Sequence, residues 1–329
     1  MADLLPAPRL ASPPVQTGAP PPPAVVSRAG PQAEFAHEEF FAVDNEHTKR
    51  AYRAAVLRFL AWCEARGVEL PAVRPGHVSE YVTQLRASGL SDPSRKVHLA
   101  ALRKYFDRLT ERHAVVLNPA LSVRGPRVRV AEGKTPAFDR DEAKLFLASV
   151  HTDSLAGLRD RAILSVLVYT AARVGAVAKL KVSDFYAGGR ERWLLHFEEK
   201  GGKHREIPVR HDLRELLQRF LAASGLTAAA PSSPLFQSVD WKTGQLTGRA
   251  MTQGDVLRMV KRRLKKAGFP VSKFTCHSFR ATTITDLLKQ GIPLSDVQRL
   301  AGHADPRTTK LYDRTDREVT TNIVERISI

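Results

Sequence analysis

Near the end of the chain the run TCHSFRATTITDLLKQG sets His277 and Arg280 three residues apart at the start of a helix. That spacing turns both side chains to one side, where they can share one substrate. Ser295 and Gln298 frame the next helix start, and Gly302-His303 follows its end, which places an imidazole in a turn. Asp305-Pro306 opens one more short helix, and it carries Tyr312, a polar-tipped aromatic in small and charged surroundings. A guanidinium holds oxyanions with paired, charge-assisted hydrogen bonds. A phenol, which ionises near pH 10 when unperturbed, becomes a nucleophile only where a base or a strong positive field assists it. Taken singly, the His-x-x-Arg pair reads equally as a surface hydrogen-bonding pair, and the tyrosine as packing.

The chain that must position these groups has 329 residues, enough for two domains with cores of their own. Lys and Arg number 51 against 34 for Asp and Glu, a formal charge of +17 spread along the whole length. Such an excess suits a partner rich in phosphates, with nucleic acid favoured over a membrane surface and a generally basic protein as the plain alternative. The two cysteines, Cys63 and Cys276, are far apart and lack metal-ligand spacing, so neither a disulfide framework nor a zinc site is expected. A reducing, cytoplasmic setting follows as the expectation. No apolar run approaches the roughly 20 residues of a membrane span, and the N-terminal stretch lacks a charged segment followed by an apolar core, so no export is expected.

Residues 1–33 are rich in Pro, Ala and Gly and show no apolar periodicity, which predicts a disordered arm. From 34 to 118 the pattern is helical. Tyr52, Ala55, Val56, Phe59, Leu60 and Cys63 form one inward face, Val78, Tyr81, Val82 and Leu85 a second. A third helix opens at Asp92-Pro93 and turns Leu99, Leu102, Tyr105, Phe106 and Leu109 inward. Its other side bears Arg95, Lys96, Arg103, Lys104, Arg108 and Arg112, which reads either as a DNA-facing surface or as an ordinary solvated one. Residues 119–137, with several Pro and Gly and the cations Arg124, Arg127, Arg129 and Lys134, read as a basic linker that would let two domains close on a duplex. The second domain, 138–329, starts with a capping box at Asp139 and Glu142. It continues with an apolar helix over about 159–172, a hairpin in RWLLHFEEKGGKHREIPV, and helices over about 211–223 and 254–267, the last rich in Arg and Lys.

Taken in order, these features resemble the catalytic signature of the tyrosine recombinases, the phage integrase family. The family shows an Arg after an apolar helix, a Lys in a β-hairpin, His-x-x-Arg, Gly-His, and a Tyr nine residues beyond that second His. Here Arg173 lies in TAARVGAVAKLKVSDF, Lys200 at the hairpin, His277 and Arg280 in HSFR, His303 in AGH, and Tyr312 in TTKLYDR, nine residues on. The resemblance spans about 44–329, strongly from 139 onward and by helical architecture alone before that. It implies a mainly α chain with a small antiparallel β-hairpin or sheet. An N-terminal helical-bundle, core-binding domain would precede a mixed α+β catalytic domain.

The resemblance also implies roles. Arg173 and Arg280 would hold the non-bridging phosphate oxygens as charge builds on them, and His303 would support them. His277 would take the phenolic proton of Tyr312. Lys200 would deliver a proton to the departing 5′ oxygen, with Lys203 as the alternative amine. No convergent cluster of acids suggests a two-metal site and no GxxxxGK[ST] loop occurs, so neither metal nor cofactor is expected. Covalent attachment through Tyr312 conserves the energy of the broken bond. One departure stands out: many members carry Glu or Asp three residues after the first Arg, and this chain has Ala176.

The same chemistry in a monomer would relax supercoils as type IB topoisomerases do, and the same basic helices would serve a DNA-binding protein that never cuts. After Tyr312, Val319, Ile323 and Ile327 form an apolar stripe resembling the segment by which family members dock on a neighbouring subunit, with packing on its own domain as the alternative. Docking in trans predicts a homotetramer on two double-stranded DNA sites and recombination through a Holliday junction, with no membrane and no small-molecule substrate.

Overall fold

The computed structural model describes residues 21–42, 46–127, 135–189, 192–199 and 202–313, and the chain divides into two compact units between residues 129 and 130. Unit 1 contains α1 (Ala24–Ser27), α2 (Pro31–Phe41), α3 (Glu46–Glu64), α4 (Pro75–Ala87) and α5 (Asp92–Glu111). Helix α5 is its axis, since α2, α3 and α4 all pack on it. The reason lies in its sequence: Ser91 caps it by accepting from the Ser94 amide, Pro93 starts its first turn, and Leu102, Tyr105, Phe106 and Leu109 recur at three- and four-residue steps and are buried.

Three expectations for this unit need correcting. The disordered arm does not extend to residue 33: α1 and α2 are helical, and Val25, Val26 and Ala33 are fully buried in the core of the unit. Short apolar runs between prolines are too brief to show a period, so burial there left no pattern to read. Residues 1–20 lie outside the described residues. Nor is the polar side of α5 an open row of cations. Arg95 is buried and paired with Asp92, Arg103 donates to the carbonyls of Ala120 and Val123, and Arg108 and Arg112 both pair with Glu39, leaving Lys96 and Lys104 exposed. The start of the expected linker, finally, belongs to unit 1, because Ala120 and Val123 are buried in its core.

Unit 2 holds α6 (Arg140–Ala148), α7 (Leu155–Thr170), α8 (Val174–Ala178), α9 (His211–Ala223), α10 (Gln253–Lys266), α11 (Cys276–Lys289), α12 (Leu294–Ala301) and α13 (Pro306–Lys310). Asp139 caps α6 in the reciprocal arrangement with Glu142 that the sequence predicts. Helix α7 is buried on nearly every side and packs on α9 and α11, which makes it the spine of the unit. Strands β1 (Phe185–Gly188), β2 (Arg192–Glu199) and β3 (Lys203–Pro208) form an antiparallel sheet in that order, with Phe197 opposite Arg205 and Glu199 opposite Lys203. The hairpin expected from the sequence is therefore β2–β3, with β1 added at its edge. A second antiparallel pair, β4 (Gln237–Val239) and β5 (Leu246–Ala250), was not legible as strands, being short and mostly polar. No described helix is long and apolar enough to cross a membrane.

Candidate active site

The site is assembled from the end of α7, the start of α8, the β2–β3 sheet, the start of α11, and the turns around α12 and α13. Helix α7 ends at Ala171, a buried residue forced to φ 49°, the left-handed region that an alanine enters only at a cost of about 1–2 kcal/mol. That sharp turn does two things. It sends the chain into α8, whose N-cap is Arg173, and it aims the Ala171 carbonyl at Arg280, whose Nη1 donates to it at 2.5 Å.

Arg280 is 1% exposed, the largest of the fully buried side chains. Its Nη2 donates at 2.6 Å to the carbonyl of Ala301, at the end of α12, so one guanidinium joins the α7 turn to the α12 turn. Burial lowers its pKa from the usual 12.5 to about 10, with the charge of Arg173 acting the same way and Tyr312 opposing. It stays cationic at neutral pH.

Thr275 caps α11 by accepting from the His277 amide, which fixes the helix start on which His277 and Arg280 stand. His277 keeps one side open to solvent, while its Nε2 meets the Tyr312 hydroxyl at 2.9 Å. Partial burial holds its imidazole below its usual range, and the charges of Arg280 and Arg173 deepen the shift. Gly302 closes α12 at φ 64°, where a Cβ would be strained and would lie 3.2 Å from Glu199 Oε2 and 3.3 Å from Arg205 Nε, so the turn favours glycine. His303 follows directly. It is buried, its Nδ1 sits 2.8 Å from Thr309 Oγ1, and its ring stacks on Tyr312 with centroids 5.9 Å apart. Burial lowers it to about 4, with Arg280 and Arg173 adding to the effect, so it is neutral at pH 7. Tyr312 itself is 6% exposed, and its carbonyl accepts from Thr285 Oγ1, which anchors it to α11.

Five of the six residues singled out in the sequence thus fall in one neighbourhood: Arg173, His277, Arg280, His303 and Tyr312. Lys200 lies outside the described residues; Lys203 is exposed at the first position of β3. The segment with Val319, Ile323 and Ile327 lies outside them too. Sequence reading missed two charged residues. Glu199 Oε2 accepts from Arg173 Nη1 at 2.5 Å, and Glu199 Oε1 accepts from Arg205 Nη2 at 2.7 Å. The signal was available in the two-residue period of the strands. Leu195 and Phe197 of β2 face the core, as does Ile207 of β3, so Glu199 and Arg205 stand on the inward face. Charges at inward positions are informative because such groups are buried only when paired. Among the described residues no three His, Cys, Asp or Glu side chains converge to hold a metal ion.

The arrangement sets an exposed guanidinium, a buried one and an imidazole around a single phenol, the residue types that attack of a tyrosine on a phosphodiester calls for. Residues 136–318 match the phage integrase family, and residues 41–113 match the N-terminal SAM-like domain of phage integrases. Tyrosine recombinase XerC of Xylella fastidiosa strain M23 is 30% identical over 290 residues, 85% of this chain and 92% of that protein. Tyrosine recombinase XerD of Pseudomonas aeruginosa is 27% identical over 274 residues, 83% of this chain and 88% of its own length. Among solved structures, XerH site-specific recombinase in a post-cleavage complex with palindromic difH substrate shares the fold at a TM-score of 0.68 and 21% identity, over 84% of this chain and 79% of that one. A λ integrase tetramer bound to a Holliday junction does so at 0.57 and 18%, over 86% and 77%. The chain belongs to the phage integrase family, the tyrosine recombinases.

Proposed function

We propose that this recombinase cuts and rejoins DNA at specific sites with Tyr312 as its nucleophile. The observation that carries the reading is the 2.9 Å contact between the Tyr312 hydroxyl and His277 Nε2, beside the buried Arg280. In the first step His277 takes the phenolic proton and Tyr312 Oη attacks the phosphorus. The bond from phosphorus to the 5′ oxygen breaks, leaving a 3′-phosphotyrosine and a 5′ hydroxyl. Arg173 and Arg280 hold the two non-bridging oxygens, where negative charge accumulates and where fixed cationic donors lower the barrier most. His303, neutral and stacked on Tyr312, orients the ring and donates to the phosphate in support. The proton for the departing oxygen comes from Lys200, with Lys203 as the second choice. Attack by a 5′ hydroxyl from another strand reverses these steps and needs no external energy source.

Unit 1 serves in this reading as the DNA core-binding module and the excess of 51 basic over 34 acidic side chains as the source of affinity for phosphates. The λ integrase tetramer on a Holliday junction suggests the assembly, four copies on two DNA sites. The test is incubation with a pool of nicked suicide duplexes, in which the leaving strand diffuses away and the covalent adduct accumulates. The parent is expected to form an adduct whose trapped DNA, once sequenced, reports the target. Tyr312→Phe is expected to bind the same DNA and form none; an adduct that survives the substitution moves the nucleophile elsewhere.

A further inference from the structure

The family pattern leaves one carboxylate unaccounted for. Where many members carry an acid three residues after the first arginine, Ala176 is buried and has nothing to offer Arg173. An arginine has many rotamers, and one without a fixed partner forfeits much of its value as a preorganised donor. Arg173 nonetheless has a partner, brought from 26 residues downstream: Glu199, at the end of β2. We infer that Glu199 is the positioning residue for Arg173 in this enzyme, standing in for the acid that Ala176 displaces. The inference rests on Arg173 being a phosphate-binding residue.

Three features support it. The exposures are asymmetric: the Glu199 side chain is 5% exposed and that of Arg173 45%, so the acid lies behind the guanidinium and the open side is left for a phosphate. Both carboxylate oxygens are in use, Oε2 on Arg173 and Oε1 on Arg205, which fixes the acid from two directions and keeps it from swinging out to solvent. Arg205, in turn, lies over the Phe197 ring and donates through Nη1 to the Leu300 carbonyl, two residues before Gly302. One carboxylate therefore links the start of α8, the hairpin and the turn that bears His303. The closeness of Gly302 to both Glu199 and Arg205 is the imprint of that link on the turn. Removing one partner from a buried ion pair leaves a charge uncompensated, so the carboxylate and its two guanidinium partners hold one another in place.

The test is a double-mutant cycle read by single-turnover cleavage of a suicide duplex, with DNA affinity and thermal melting measured beside it. Glu199→Gln keeps the shape and removes the charge. It is expected to slow cleavage about ten- to hundredfold, the scale of a misplaced catalytic group, with DNA affinity within about threefold of the parent, because a positioning residue acts on the transition state and not on the ground-state complex. In an Arg173→Ala background the same change is expected to cost nothing more, since a residue that acts through Arg173 has no route once Arg173 is gone. Losses that multiply overturn the proposal, as does parental cleavage by E199Q. Faster cleavage by E199Q overturns it in another way, making the acid a competitor of the phosphate. If E199Q melts below the assay temperature, Glu199→Asp replaces it. The expected result is then a loss of about threefold or more that vanishes without Arg173, and multiplying losses again overturn it. Parental cleavage by Arg173→Ala removes Arg173 from the site and this inference with it, whereas an impaired R173A beside an unaffected E199Q removes Glu199 alone.

Discussion

Arg280 and Arg173 carry the same charge into the same site by opposite means. Arg280 is buried and its two terminal nitrogens serve the carbonyls of Ala171 and Ala301; Arg173 is nearly half exposed and leans on one carboxylate. Either change to Ala is expected to slow cleavage about 100- to 1000-fold, as removal of one fixed oxyanion donor does. Arg280→Ala also strands two buried carbonyls, and Arg173→Ala leaves the buried Glu199 with Arg205 alone, so the melting temperature of each should fall. Cleavage within about tenfold of the parent would take the residue out of the site. The pH dependence belongs to His277. The proposed base must be neutral to act, and burial with two nearby cations keeps this imidazole neutral below its usual value of 6.5. Cleavage should therefore hold steady as pH falls through 6.5 and fail only at more acid pH, with His277→Gln abolishing that limb. A midpoint at or above 6.5 in the parent would contradict the assignment.

At the scale of elements, the strain at Ala171 and the buried cluster at Asp160 hold the site's frame. Asp160, fully buried on α7, pairs with Arg159 on its own helix and with Arg262 and Arg263 of α10. Asp160→Asn leaves these guanidinium groups without their counter-charge and is expected to destabilise the protein by about 3–5 kcal/mol, read by denaturant unfolding; a loss below about 1 kcal/mol would mean the cluster is solvated after all. The same cluster shows why some of the molecule was legible in the sequence and some was not. Helices with a periodic apolar face and a capping residue, such as α5 and α6, declare themselves locally, because both signals come from neighbours along the chain. The ordered set from Arg173 to Tyr312 stood out for a different reason: the chemistry proposed for it restricts residue type at each place. What stayed hidden depended on partners distant in sequence. Arg103, Arg108 and Arg112 read either as a DNA-facing row or as a solvated one until the carbonyls and the acid that hold them were in view. Glu199 and Arg205 were not singled out in the hairpin, although their strand parity points inward.

For the whole molecule, acid and salt are the natural probes. His37 in unit 1 and His303 in unit 2 are both buried and both lowered from 6.5 to about 4, chiefly by desolvation. Each takes up a proton more readily in the unfolded chain. Stability is thus fully present above 6.5 and is lost as pH falls from 6.5 toward 4, at about 1.4 kcal/mol per pH unit for each histidine. Thermal melts across that window should shift down, and His303→Gln or His37→Gln should flatten the dependence. DNA affinity should fall steeply and log-linearly with salt, as counterion release at many phosphates requires, and a flat response would remove the electrostatic account of binding. The linkage between protein and DNA can be read from the trapped adduct itself, digested with protease and nuclease, with the remaining peptide sequenced by mass spectrometry. The account predicts a nucleotide joined through its 3′ phosphate to the phenolic oxygen of Tyr312, with a free 5′ hydroxyl on the released strand. A phosphate on any other side chain, or a 5′-linked nucleotide, would contradict it.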